Sequence, residues 1–153
     1  MVGQSTEDLT RMADTVVRGN VSEVACAWTV DKGSICTVAD IQVEEVVRGT
    51  CPAEHITVEY AGGKVGERCL TVSDSPGLSR GEHVLVFLKS AKSQTGRKHG
   101  FVYHIVGQAQ GVYRISSEGI ASKHGYRLVA SGKPAIDNNL KVSTLISKIK
   151  NIQ

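Results

Sequence analysis

The side chains able to do chemistry in this chain of 153 residues are four cysteines, five histidines and a few carboxylates beside them. The closest approach to a nucleophile pair is Cys51 with His55, four positions apart in "CPAEH". A cysteine nucleophile needs surroundings that favour the thiolate and a histidine oriented by a third group. A hydrolase built on Cys51/His55 is therefore one reading, and a packed or cross-linked thiol is the simpler one. Glu82 and His83 adjoin in "GLSRGEHVLVFLKS", but neighbours on a strand point to opposite faces and cannot act as a dyad unaided. The triplet reads as an entry turn before a buried strand. His104, inside "FVYHIV", reads as a half-buried structural histidine sharing a face with Val102 and Val106. His55, His99 and His124 fall in turns or loops without a carboxylate or cysteine at ligand spacing. No GxSxG, HExxH, P-loop or GxGxxG is present, and "YAGGKVGE" lacks the Walker spacing. No catalytic residue, cofactor or metal is expected.

Cys26, Cys36, Cys51 and Cys69 are even in number and separated by 10, 15 and 18 positions. Zinc sites take close-spaced ligand pairs, which these spacings do not supply. Two disulfides are the leading expectation, with free core thiols as the alternative; four cysteines permit three connectivities. Cys26–Cys36 within a hairpin and Cys51–Cys69 across the next strands are the preferred pairs. Disulfides belong to oxidising compartments, so this expectation carries a secreted or periplasmic setting with it. The opening "MVGQSTEDLT" has neither basic nor apolar signal regions, so a signal segment is presumed removed.

An apolar content of 41% and a charged content of 22% are ordinary for a globular protein. No apolar run approaches the roughly 20 residues that span a bilayer as a helix. The net charge of +3 falls short of the bias of a nucleic-acid binder. Single-strand binding also wants exposed aromatics, and aromatics total 5% here, mostly on strand positions that pack. Lys89, Lys92, Arg97 and Lys98 cluster around one connection, which reads first as a solvated basic loop and second as a contact for an acidic partner. Trp28, near a turn, is a candidate protein contact, since tryptophan is enriched among binding hot spots. Nucleic acid is thus an unfavoured partner, and another protein the favoured one.

The elements that must position these groups are mostly strands. "STEDLTRMA" (5–13) predicts a short helix with Ser5 or Thr6 as cap. Strands are expected over 15–30 and 35–49, joined by the "DKGS" turn, with a bulge near 39–41 where alternation slips. Further strands are expected over 55–63, in 67–77, over 83–89, as two pinched at "GQAQG" within 101–116, and as a weaker pair in 119–131. "VSTLISKIKNIQ" (142–153) predicts an amphipathic helix capped by Ser143. The near-identical "VVRGN" (16–20) and "VVRGT" (46–50) read as two similar strand exits. Seven or eight short strands with Gly19, Gly49, Gly81, Gly107 and Gly111 at bends close most economically into a small barrel, because closure removes edges. The expected fold is mainly β, a small closed or partly open OB-like barrel over 15–131, plugged or flanked by two helices, in one domain covering 1–153. Its interior should consume the apolar side chains and leave recognition to outer loops.

The order "ADTVVRGNVSEV", "VADIQVEEVVRG", "ITVEYAGGKVG", "GEHVLVFL" and "GQAQGVYRI" resembles a group of small uncharacterised bacterial exported proteins. The most specific piece is the G-E-x-V-L-x-F-L strand followed by G-x-x-Q-G. That group is similar in outline to netrin-like and tissue-inhibitor-of-metalloproteinase barrels. The resemblance implies export and a non-enzymatic binding or hydrolase-inhibitor-like role. Those inhibitors present an N-terminal cysteine to a protease zinc, whereas the first cysteine here, Cys26, lies inside the first hairpin. A polyanion- or nucleic-acid-binding OB-type domain, and the Cys51/His55 hydrolase, are the alternatives.

Overall fold

Ser5 starts the first helix, α1 (Thr6–Met12): its side-chain oxygen accepts the Asp8 N–H at 3.1 Å, and Glu7 and Asp8 occupy the first turn, where the helix dipole favours them. The computed structural model describes residues 5–51, 53–96, 101–123 and 139–152. Ten strands follow α1: β1 (Thr15–Trp28), β2 (Ile35–Arg48), β3 (His55–Ala61), β4 (Gly63–Val65), β5 (Arg68–Leu70), β6 (His83–Lys92), β7 (Phe101–Ile105), β8 (Val112–Ile115), β9 (Ile120–Ser122) and β10 (Leu140–Lys141). Helix α2 (Val142–Lys150) closes the described chain. None of the described helices is long and apolar enough to cross a membrane.

Five strands form a ring in the order β1, β2, β3, β7, β6, and β6 returns to pair with β1. Every pairing in it is antiparallel except β3 with β7, which run parallel and meet at one bridge, Val58 opposite Tyr103. This is the expected small barrel, with the strand order of an OB-type Greek key and one weak seam. Strands β8, β9 and β10 extend the sheet outward from β6.

Strand β1 serves two neighbours by bending. Residues 15–20 pair with β6 while 16–28 pair with β2, and three register shifts along β1 accommodate the turn. The bulge expected in 39–41 therefore lies across the ladder, in β1 between Val21 and Glu23; β2 pairs with β3 without a break. The alternation of β2 slips for another reason: Val38 faces outward and is still buried. Gly19 marks a second correction. It is a mid-strand bend, not an exit: a Cβ there would lie 2.2 Å from the carbonyl oxygen of Gln42, so only glycine lets the two backbones close. Its counterpart "VVRGT" does end its strand, at Arg48.

The apolar run of β6 is continuous because both faces are covered. Val84, Val86 and Leu88 join Val17, Ile41 and Val58 inside the ring. Leu85 and Phe87 face outward into a second cluster with Leu9, Tyr113, Leu145 and Ile149. The helices thus flank the barrel, and the ring interior holds only part of the core. Strand β2 fastens α2 from below, the Arg48 guanidinium donating to the carbonyls of Ile149, at 3.1 Å, and Ile152. That places a cation at the helix C-terminus, where the dipole favours it. Ser143 lies within α2 and does not cap it; Lys141 stands at the N-cap without a side-chain bond. Strand β9 begins the expected 119–131 pair, and 124–131 lie outside the described residues.

Candidate functional site

Past the single bridge between β3 and β7, residues of both strands line a cleft of about 760 Å³. Its volume suits a small molecule or a few side chains. Alternation supplies its walls from both sides of the sheet. Tyr60 and Ile105 belong to the inward face, packed with the ring core, while Cys36, Glu59, Ala61 and His104 alternate with them on the outward face. The cleft therefore draws its lining from both faces of the sheet at the seam, and the ring is the partly open form of the expected barrel.

Glu59 shapes one side. It is 2% exposed, yet its carboxylate accepts from Ser93 Oγ at 2.5 Å, Thr95 Oγ1 at 2.6 Å and the Gln94 N–H at 2.8 Å. Burial opposes its ionisation, but these donors outweigh burial and hold the carboxyl below the usual glutamate range. The chain after β6 is thereby strapped over the outer face of β3. The Val30 N–H donates to Gln94 O at 2.8 Å, tying the strap to the β1–β2 turn as well. That face and its two flanking loops are where OB barrels hold oligonucleotides and sugars, and here a buried acid and a strap occupy it.

The opposite lip is built by the "GQAQG" segment, a 3-10 turn over Gln108–Gly111. Gln108 (φ 54°) and Asp74 (φ 62°) both adopt the left-handed conformation, and the Ala109 N–H donates to Asp74 O at 3.0 Å, joining the two segments into one lip. Such backbone costs about 1 kcal/mol or more per residue and gathers at functional sites. Tyr60, in the wall, accepts the Leu78 N–H at 2.9 Å, and burial foremost pushes its hydroxyl pKa up.

The thiols do not behave as a framework. All four cysteines are unbridged, which corrects the two expected pairs. Cys26 is opposite Thr37 and Cys36 opposite Ala27, so Cys26 and Cys36 point to opposite faces of one hairpin. Cys51 precedes β3 whereas Cys69 pairs with Lys64 beyond its far end, and that strand alone spans roughly 20 Å. Burial, then the Glu59 carboxylate, pushes the Cys36 thiol up, so it stays protonated at neutral pH. Alkylation of the native protein should accordingly label exposed Cys69 first and Cys36 last. Mass spectrometry of timed quenches checks that order; early labelling of Cys36 would contradict its burial.

Cys51, His55, Glu82 and His83 each sit in their own surroundings. Cys51 Sγ donates to Ala53 O at 3.3 Å, and His55 is exposed at the start of β3. Glu82 bonds Arg114 Nε at 2.8 Å and accepts the Ser79 N–H at 2.6 Å, while His83 Nε2 lies 3.2 Å from Glu44. Of the surface candidates, Trp28 ends β1 at 37% exposure, and exposed Lys92 borders a groove of about 800 Å³ beside the β1–β2 turn. Arg97 and Lys98 lie outside the described residues, as do His99 and His124. Glu59 and Asp74 were not singled out from the sequence. Glu59 read as the polar half of an alternating strand, and Asp74 as turn chemistry; only "GQAQG" carried a visible signal. No group of three or more His, Cys, Asp or Glu able to hold a metal occurs among the described residues.

Fold and cleft together define a small OB-type barrel with a cleft at its β3–β7 seam. No family model matches the chain, nor does any curated protein or solved structure.

Proposed function

We propose that this chain is a non-enzymatic exported binding module that engages another protein through the seam cleft. The observation that carries the reading is a ligand-sized slot in which the Glu59 carboxylate and the Cys36 thiol are engaged or muted. Glu59 is held by three donors and Cys36 is kept protonated, while outside the slot the Cys51 thiol proton goes to a backbone carbonyl. A catalytic site needs the reverse, a base or nucleophile poised toward a reacting atom. With four free thiols, export rests on the resemblance to the bacterial exported group and no longer on cysteine pairing. An inhibitor-like role follows the same resemblance, through this cleft and not through an N-terminal cysteine. The polyanion reading is the weaker one, because the face it would use carries a buried carboxylate under the strap.

Selection of a displayed peptide library against the native protein tests the proposal. Clones should enrich and should be lost on Ala61→Trp, which fills the slot from its exposed wall. No enrichment, or enrichment indifferent to Ala61→Trp, would refute cleft binding. Turnover of ester or peptide substrates abolished by Cys51→Ala would establish the hydrolase instead.

A further inference from the structure

The cleft lining gathers two carboxylates, Glu59 and Asp74. We propose that it receives a cationic side chain, an ammonium or guanidinium, projecting from an extended segment of the partner. This rests on the binding reading above and adds the chemistry of the occupant.

Charge complementarity selects that occupant. The described lining contains two carboxylates, Glu59 in the wall and Asp74 at the lip, and neither lysine nor arginine. The nearby guanidinium of Arg114 is committed elsewhere, bonding Glu82 Oε2 at 2.8 Å and the carbonyls of Pro76 and Gly77 at 2.7 and 3.1 Å. An anion in the slot would meet two like charges, with the His104 imidazole as the one described wall group able to carry a counter-charge. A cation entering would instead meet acceptors suited to replace its water: the Asp74 carboxylate and the amide groups of Gln94 and Gln108. Cys36 adds no thiolate that would compete for the cation or react with it. The slot also has the right form for a long, thin side chain. Its lining mixes apolar Ile105 and Ala61 with polar groups, so an aliphatic stem can pack while the charged head reaches oxygen. An extended segment is favoured over a free amine because β3 and β7 share a single bridge, at Val58 and Tyr103, and backbone edges beyond it border the cleft.

Five-residue peptides acetyl-Gly-Gly-X-Gly-Gly-amide, with X arginine, lysine, citrulline or glutamate, test this by titration into the nitrogen-labelled protein. The arginine and lysine peptides should shift the side-chain amide signals of Gln94 and Gln108, and citrulline, the uncharged analogue, should bind at least fivefold more weakly. Asp74→Asn should weaken the arginine peptide about tenfold. Asparagine tolerates the left-handed backbone that Asp74 adopts, so this variant keeps the lip folded. Equal binding of citrulline and arginine at those amides, or preference for glutamate, would overturn the charge assignment and leave the binding reading standing. Absence of any shift with all four peptides, in a protein that also enriches no library clones, would defeat both. Cation binding unaffected by Asp74→Asn would likewise overturn the assignment.

Discussion

Glu59→Ala will destabilise the protein by about 3 kcal/mol, the cost of stranding several buried donors of a charged acceptor. Ser93 and Thr95 hydroxyls and the Gln94 N–H all point at this one carboxylate from a segment with no strand partner of its own beyond Lys92. Among the described residues the strap then keeps its link to Val30, so hydrogen exchange at 93–96 should accelerate along with the global loss. Glu59→Gln separates charge from shape. In the folded chain the carboxyl lies below its ordinary value of 4.5, because its donors outweigh burial. Its charge-dependent stabilisation is therefore complete above that pH and drains away as pH falls through the folded-state value. Urea titrations across pH 3–7 should show the gap between wild type and Glu59→Gln constant near neutrality and closing in acid. Parallel curves, or a loss from Glu59→Ala under 1 kcal/mol, would show that the strap is held some other way.

The barrel was legible because its signals are local. Alternation in 55–61, the "DKGS" turn and the two-sided apolar run of β6 each report an environment directly, and together they specify the ring. The location of the helices followed less well: an apolar face shows that a helix is buried, not on which side of the sheet. Leu145 and Ile149 would read alike whether plugging the barrel or covering Leu85 and Phe87 outside it. The seam was harder still. Nothing in "HITVEYA" or "FVYHI" records that they run side by side in parallel and meet at a single bridge, since that is a long-range pairing. Glu59 illustrates the same limit: its polar position predicts a solvated face, and only the return of residues 93–95 makes it a buried anchor. The cysteine expectation failed on register, because spacing of ten residues in a hairpin is compatible with either face until the turn length is known.

Gly111→Ala will cost on the order of 3 kcal/mol, the upper part of the range for inserting a methyl group into closed packing. A Cβ on Gly111 would lie 2.0 Å from the Val106 carbonyl oxygen and 2.8 Å from Ile105 Cγ2. Neither neighbour can retreat freely. The Val106 N–H donates to Phe87 O at 2.9 Å, tying that stretch to β6, and Ile105 is buried at the seam in register with Leu88. Relief must come from the other side, by moving the 3-10 turn, and that turn carries Gln108 and the Ala109 N–H that holds Asp74. The substitution should thus open the lip of the cleft as well as lower stability. Urea denaturation measures the first effect on the whole fold, and peptide titration under native conditions measures the second on the site. A variant as stable as wild type, with unchanged cleft binding, would mean that the turn does not pack as closely against β7 as these distances require.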